Sequence, residues 1–269
     1  MRQGVEYTRV YVLFLKGGCV NPYALGENGK NLIAAVYRAR FDDTKVLFSL
    51  YIDRLDVHTQ DMFRLANRIC KHNDILSSWN PDAFYPVAET RDNQMLALMR
   101  CQELYRRNSL IAITDGDEKN GYVGFNYSQE YLSSRGICKD DIVRITSEEL
   151  AVRFNTLTEV EAVIRHAKVA QWRMLFVVGA AFHHLRAYIT FVSVALREYP
   201  DILLISVPGY SGDWNKRVLH SQGIVSGTRM ELLMGELDRL ADYYADSYAT
   251  TRHLAPPDAI LAYMDRREK

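Results

Sequence analysis

Short, almost wholly apolar runs recur along the chain, and each is followed by turn residues and then by a helical pattern. Unbroken apolar runs, in contrast to alternating ones, are typical of strands that are covered on both faces. Glycine, aspartate or proline follows most of the runs, which marks where each strand ends. The pattern predicts strands at Val10–Leu15, Leu110–Thr114, Ile142–Ile145, Met174–Val178 and Ile202–Val207.

Between these runs, apolar residues recur at the spacing of three and four residues that marks an amphipathic helix. The predicted helices cover residues near 56–72, 92–107, 128–135 and 182–197, a stretch around 160–167, a long one from 228 onward, and a last one after two prolines. Thr156 and Glu159 stand three apart, as a capping box requires, and Gly136 is a natural helix terminator.

Two of these helices have predicted buried faces that can be compared with a structure. The helix near residues 56–72 carries its apolar side on Met62, Leu65, Ala66 and Ile69. The helix over residues 92–107 has its apolar residues roughly on one face at Met95, Leu98, Met99 and Leu104.

Strands that alternate with helices predict an α/β fold, since right-handed βαβ units build a parallel sheet. We expect a Rossmann-like open, mainly parallel sheet with helices on both faces, plus a helical C-terminal part. Residues 1–227 are predicted to form the ligand-binding domain, within which 19–91 is interpreted as a helical insertion with room for one additional strand. Residues 228–269 are predicted to form a helical segment that packs on it.

Composition narrows the function classes. The chain has 269 residues, of which 48% are hydrophobic, and its 33 basic side chains balance its 33 acidic ones. Without a basic field it is not expected to bind nucleic acid. Its four cysteines form no metal-binding or disulfide pattern. No apolar stretch is long enough for a membrane span, so we expect a cytoplasmic protein without a membrane partner.

In an open α/β sheet, small ligands bind beyond the carboxyl ends of the strands. The chemistry-bearing residues of this chain gather there, where glycine lets the backbone approach a ligand and helix N-termini favour anions. The candidate loops are Gly17-Gly18, Asp115-Gly116-Asp117, Asn155-Thr156, His183 to Arg186 and Pro208-Gly209-Tyr210.

The segment from His183 to Arg186 is the most chemically distinctive of these loops. His183 and His184 are neighbours on a predicted helix and point about 100° apart, so they do not converge on one ion and no metal is predicted. His183 and Arg186 are three residues apart and share a helix face. Such a pair is suited to an anionic group, although an ordinary surface pair is the alternative.

At these residues the sequence resembles the YdcF/SanA/ElyC family of bacterial proteins. The similar segments are "VLFLKGG", "LIAITDGD", "NYSQEYLSSRGI", "IVRITSEELAVRFNTLTEVEAV" and "LFVVGAAFHHLRAY". The last third is similar to the YdcF branch through "ILLISVPGYSGDW", "LLMGELDRLADY" with its Gly-Glu-x-x-Arg-Leu pattern, and "LAPPDAILAYM". Residues 19–91 match poorly, and Asp115 stands where the family usually has glycine.

The resemblance implies a Rossmann-like fold with a pocket for a nucleotide-type ligand, and S-adenosylmethionine is the ligand associated with the YdcF branch. By the same resemblance, the pocket would be lined by Gly17, Gly18, Asp115, Gly116, Glu130, Asn155, Thr156, His183 and Arg186.

Three functions remain open from the sequence. The first is binding of an adenosyl or other nucleotide-type ligand. The second is a metal-independent hydrolase or transferase acting on a phosphorylated or nucleotide-sugar substrate, with Glu130 and His183 as acid/base candidates and Arg186 as an anion clamp. The third is a non-catalytic regulatory protein. Fold-level analogy does not separate them.

Overall fold

A parallel sheet of five strands forms the centre of the part of the chain that is described, namely residues 57–69, 79–115, 121–220, 224–246 and 254–266 of a computed structural model. The strands are β1 (Ala83–Pro86), β2 (Leu110–Thr114), β3 (Ile142–Ile145), β4 (Met174–Gly179) and β5 (Leu203–Pro208). They lie in the order β3-β2-β1-β4-β5, and every neighbouring pair is parallel. This confirms the predicted open parallel sheet.

In the described chain one helix precedes β1, helices follow each of β1 to β4, and a small antiparallel hairpin lies between β5 and the C-terminal helices. The helices are α1 (Val57–Ile69), α2 (Arg91–Leu104), α3 (Gly124–Ser134), α4 (Glu148–Val152), α5 (Thr156–Val169), α6 (Ala181–Glu198), α7 (Arg229–Asp246) and α8 (Pro257–Asp265). The hairpin consists of β6 (Arg217–His220) and β7 (Val225–Thr228), and a short 3₁₀ turn spans Lys139–Asp141.

The sheet buries both of its faces, as the unbroken apolar runs predict. In β4, Leu175 and Val177 pack into one core, which also contains the apolar sides of α1, α5, α6, α7 and α8. Phe176 and Val178 point the other way, into a second core with α2 and α3. Successive residues of a strand face opposite sides of a sheet, so a strand covered on both sides must be apolar throughout.

The strand boundaries agree closely with the sequence pattern where it can be compared. β2 and β3 have the predicted bounds, and β4 and β5 each extend one residue further than predicted at their carboxyl ends. The predicted strand Val10–Leu15 lies outside the described residues. The central strand β1 was not predicted at its position, because it has only four residues and ends in Pro86. Proline cannot donate to a ladder and argues against a central strand.

Two details of the helices correct the sequence analysis. The buried face of α2 includes Asn93, Gln94 and Cys101, whereas Met99 is 43% exposed. The polar pair turns inward because Asn93 donates to the Leu219 carbonyl and Gln94 accepts from the Glu89 backbone N–H.

The start of α5 is the second correction, since its capping box joins Asn155 and Thr158 and does not involve Thr156 and Glu159. The side chain of Glu159 instead lies inside the protein.

The helical C-terminal part packs on the sheet domain. Leu233, Leu237 and Leu240 of α7 lie in the same core as α6, and Ile260 and Met264 of α8 lie there with α1. The predicted apolar side of α1 is buried in full, at Met62, Leu65, Ala66 and Ile69. Across the described residues, none of the helices combines the length and apolar character needed to cross a membrane.

Candidate ligand-binding site

The strand order creates a crevice between β1 and β4. The chain leaves β1 toward β2 and β3 on one side, and it leaves β4 toward β5 on the other side. The loops that follow the two strands therefore separate at their carboxyl ends, which is the place where doubly wound sheets bind small ligands. Glu89 and Thr90 follow β1 there, and His183 and Arg186 follow β4.

A cavity of about 510 Å³ lies at this edge of the sheet. Its lining includes the exposed residues Ala151 and Arg153 as well as buried charged side chains. Many of its lining residues are polar, acidic or basic: Glu89, Thr90, Asp115, Thr146, Ser147, Arg153, Asn155, Thr156, Glu159, His183, Arg186, Thr190, Ser193, His220 and Arg239. Such a volume falls within the usual range for small-molecule sites, about 300–1,000 Å³.

His183 and Arg186 meet an anionic group that belongs to the chain itself. Arg186 Nε lies 2.6 Å from Glu236 Oε2, and His183 Nδ1 lies 2.6 Å from the same oxygen. All three side chains are buried. The shared helix face predicted for His183 and Arg186 is therefore present, and the carboxylate that it holds comes from α7.

Glu236 stays ionised in this setting. Burial alone would raise the pKa of its carboxyl group, but the Arg186 charge and the contacts with His183 and His220 lower that pKa well below its usual range. Arg239 adds a further contact, with Nη1 3.0 Å from Oε1. Burial lowers the pKa of His183, which favours its neutral form beside the ion pair.

His220 joins the cluster from the hairpin. Its Nε2 lies 2.9 Å from Glu236 Oε1, and its Nδ1 lies 2.6 Å from Glu89 Oε1. Burial would lower the pKa of His220, but the two carboxylates raise it to about 9. Burial would likewise raise the pKa of Glu89, and the neighbouring His220 lowers it instead.

Glu159 forms a second buried acidic position in the cavity. Its Oε1 accepts hydrogen bonds from the Tyr85 hydroxyl at 2.6 Å and from the Ala88 backbone N–H at 2.7 Å. Burial nevertheless raises the pKa of Glu159 to about 8. A carboxyl group that is largely protonated near neutral pH can donate a hydrogen bond to a ligand or act as an acid.

The two adjacent histidines serve different parts of the structure. His184 is fully buried, and its Nε2 lies 2.8 Å from Ser206 Oγ on β5, away from the Glu236 cluster. Gly179 is required for this packing, because a Cβ there would lie 2.7 Å from His184 Nδ1.

The structure brings some of the predicted site residues together and leaves others apart. Asp115, Asn155, Thr156, His183 and Arg186 all line the cavity. Glu130 is exposed on α3, and Pro208, Gly209 and Tyr210 lie at the end of β5 without lining the cavity. The hydroxyl of Tyr210 donates to Glu103. Gly17, Gly18, Gly116 and Asp117 lie outside the described residues.

Several residues of the site were not identified from the sequence, namely Glu89, Glu159, His220, Glu236 and Arg239. A signal existed for two of them, because Glu236 and Arg239 are the charged residues of the Gly-Glu-x-x-Arg-Leu pattern in "LLMGELDRLADY". Glu89 follows the unrecognised strand β1, and His220 is the last residue of the unpredicted hairpin strand β6. Neither carries a local pattern that indicates its position.

Neither family models, nor curated proteins, nor solved structures give a significant match to this chain. The resemblance to the YdcF/SanA/ElyC family remains a hypothesis based on the segments quoted above.

Proposed function

We propose that the cavity binds an adenosyl or other nucleotide-type small molecule, with S-adenosylmethionine as the first candidate. The observation that carries this proposal is the position of the cavity at the crevice between β1 and β4 of a doubly wound sheet. In such sheets this crevice is the general binding place for nucleotides and related ligands.

The lining of the cavity is suited to a ligand with an apolar ring system and charged or hydroxyl groups. Leu150, Phe154 and Leu157 supply apolar surface on one side. Arg153 and Arg239 are cations with partial solvent access that can meet a phosphate or carboxylate group. Asp115, which is half-buried after β2, is an acceptor for sugar hydroxyls.

Titration calorimetry against a panel of adenosyl compounds and nucleotides tests the proposal. The panel contains S-adenosylmethionine, S-adenosylhomocysteine, ATP, ADP and a nucleotide sugar. Ala151→Trp places a large side chain in the exposed part of the cavity lining and should abolish binding. The matched control is Val152→Trp, because Val152 is 89% exposed and does not line the cavity. Absence of binding by the wild-type protein, or equal binding by both variants, would contradict the proposal.

Glu159 favours a second candidate function, a hydrolase or transferase acting on a phosphorylated or nucleotide-sugar substrate. A buried carboxyl group with a raised pKa in a ligand cavity is a candidate general acid. The acid/base pair first suggested by the sequence is not assembled, because Glu130 does not line the cavity. Glu159 lines it together with His183.

An assay that measures product formation from phosphorylated and nucleotide-sugar compounds distinguishes catalysis from binding alone. Glu159→Gln should lower turnover by a factor of about 10²–10⁴ if Glu159 is the acid. Glu130→Gln, at the exposed position, should leave turnover unchanged. Ligand binding without turnover of any compound would favour the purely ligand-binding function.

A further inference from the structure

A single carboxylate holds two buried imidazole rings. Glu236 Oε2 contacts His183 Nδ1 at 2.6 Å, and Glu236 Oε1 contacts His220 Nε2 at 2.9 Å. An ionised carboxylate only accepts hydrogen bonds, so each contacting nitrogen carries a hydrogen and donates it. Arg186 Nη2 and Arg239 Nη1 lie 3.2 and 3.3 Å from the same nitrogens, and both also donate to Glu236.

This assignment decides which nitrogens are left as acceptors. In neutral imidazole one nitrogen donates and the other carries a lone pair. His183 Nε2 therefore presents a lone pair, and a metal ion that binds His220 Nδ1 takes the place of the proton on that nitrogen. The two ring centroids are 5.4 Å apart. A carboxylate that fixes the far nitrogen of a histidine is the usual partner of a metal-binding histidine.

Glu89 adds an oxygen next to these nitrogens. Its Oε2 accepts from the Thr90 backbone N–H, which orients Oε1 to within 2.6 Å of His220 Nδ1. One ligand atom from each of Glu89, His183 and His220 lies within 4.8 Å of the other two. All three residues are buried and line the cavity.

The contact between Glu89 and His220 does not have hydrogen-bond geometry. Among the residues that the structure describes, none makes a hydrogen bond with His220 Nδ1, although Glu89 Oε1 is 2.6 Å away. A proton bound between the two atoms would require the N–H to point at the oxygen. The two atoms are close enough to serve as ligands of one cation.

We propose that Glu89, His183 and His220 bind a divalent transition-metal ion of the zinc class, with Glu236 as the carboxylate that orients both histidines. Two imidazole nitrogens and one carboxylate oxygen form a known ligand set for Zn²⁺ and for non-haem Fe²⁺. Three protein ligands leave further coordination positions, and the cavity provides the space for water or a ligand there.

Distances and charges are compatible with this site. Two tetrahedral ligands about 2.1 Å from one zinc ion are about 3.4 Å apart. Metal binding would therefore draw in ligand atoms that now lie up to 4.8 Å apart and widen the 2.6 Å separation of Glu89 Oε1 and His220 Nδ1. Arg186 and Arg239 offset the charge of Glu236, and the Glu89 carboxylate supplies an anionic ligand. The pairing of His183 with His220, which come from distant elements, differs from the His183–His184 pair that the sequence analysis had excluded.

Zinc binding by the full chain, without any nucleotide, tests the site independently of the proposed function. The protein is freed of metal with a chelator and titrated with Zn²⁺ against a fluorescent competing chelator. Bound zinc is counted by elemental analysis after gel filtration. We expect one zinc ion per wild-type chain in the cavity site and, with Co²⁺ in place of Zn²⁺, visible absorption that indicates nitrogen and oxygen ligands.

Near-isosteric variants locate the ion. Glu89→Gln should weaken zinc binding at least tenfold, and Glu236→Gln should weaken it by about 10–100-fold. His166→Gln is the matched control, because His166 lies on α5 against Trp172, away from the cluster, and it should bind zinc like the wild type. Circular dichroism confirms that each variant is folded. A wild-type protein that binds no zinc, or binding that is unchanged in Glu89→Gln, overturns the proposal.

Discussion

Arg186 of α6 and Glu236 of α7 form a buried ion pair in which Nε lies 2.6 Å from Oε2. The pair joins the helix that follows the central strand β4 to the C-terminal helix, at the floor of the cavity. The buried charge of Arg186 is therefore neutralised by a carboxylate 50 residues away in the sequence, so the pair forms only when α6 and α7 pack together.

Removal of the arginine should be costly for stability. Arg186→Met leaves the Glu236 carboxylate buried beside fewer cations, and loss of one partner of a buried pair costs about 3–5 kcal/mol. Urea unfolding measures the change. The control is Arg165→Met, whose partners lie on the surface and for which about 1 kcal/mol or less is expected. Equal losses in the two variants would show that the buried pair has no special role in stability.

The pKa of Glu159 predicts a specific pH dependence of stability. Burial raises this pKa from 4.5 to about 8, so the folded state holds a proton that the unfolded state has lost between these values. The stabilising contribution is complete below pH 4.5 and is lost as the pH rises through 8, with a slope of at most about 1.4 kcal/mol per pH unit.

Glu159→Gln isolates this effect. The amide oxygen can still accept from Tyr85 and Ala88, but the side chain does not titrate. The free energy of unfolding of the variant, measured between pH 5 and 8 (roughly the window set by linkage), should fall less steeply than that of the wild type. The exposed Glu130→Gln variant should keep the wild-type profile. Parallel profiles for wild type and Glu159→Gln would refute the assignment.

Two glycines should respond in opposite directions to alanine. A Cβ at Gly179 would lie 2.7 Å from His184 Nδ1 and 3.2 Å from His184 Cα, so Gly179→Ala should destabilise the fold by about 1–3 kcal/mol. Gly235 lies within α7, and apart from its chain neighbours and the backbone of its own helix no described atom lies within 4 Å of such a Cβ. Gly235→Ala should therefore stabilise by about 0.5–1 kcal/mol. Thermal unfolding compares the two variants. Stabilisation by Gly179→Ala would contradict the predicted clash between the new Cβ and His184.

Arg153, an exposed residue of the cavity lining, should contribute to binding of an anionic ligand under the proposed function. Its side chain is exposed, so its attraction to the ligand is screened by salt. Arg153→Ala should weaken binding of a phosphate- or carboxylate-bearing ligand about tenfold at low salt, and less at high salt. Arg135→Ala, an exposed arginine at the end of α3, is the control. Calorimetry at two salt concentrations checks the result, and a salt-independent loss would indicate a structural effect.

Much of the fold was predictable because its signals are local. Leu110–Thr114 and Ile142–Ile145 are strands with the predicted bounds, since an unbroken apolar run between turn residues suits a strand buried on both faces. The helical spacing of Met62, Leu65, Ala66 and Ile69 likewise corresponds to a buried face. The strand β1 was missed because four residues ending in Pro86 carry little periodicity.

The candidate site was predictable only in part, for the same reason. His183 and Arg186 share a face because they are three residues apart on one helix, which is a property of the sequence alone. Their partner Glu236, and the approach of Glu89 and His220, depend on the strand order and on how α7 packs against α6. Residues distant in sequence meet through burial of apolar surface elsewhere in the molecule. The sequence by itself thus determined the α/β class and one half of the charged cluster, whereas the tertiary structure decided which side chains that half meets.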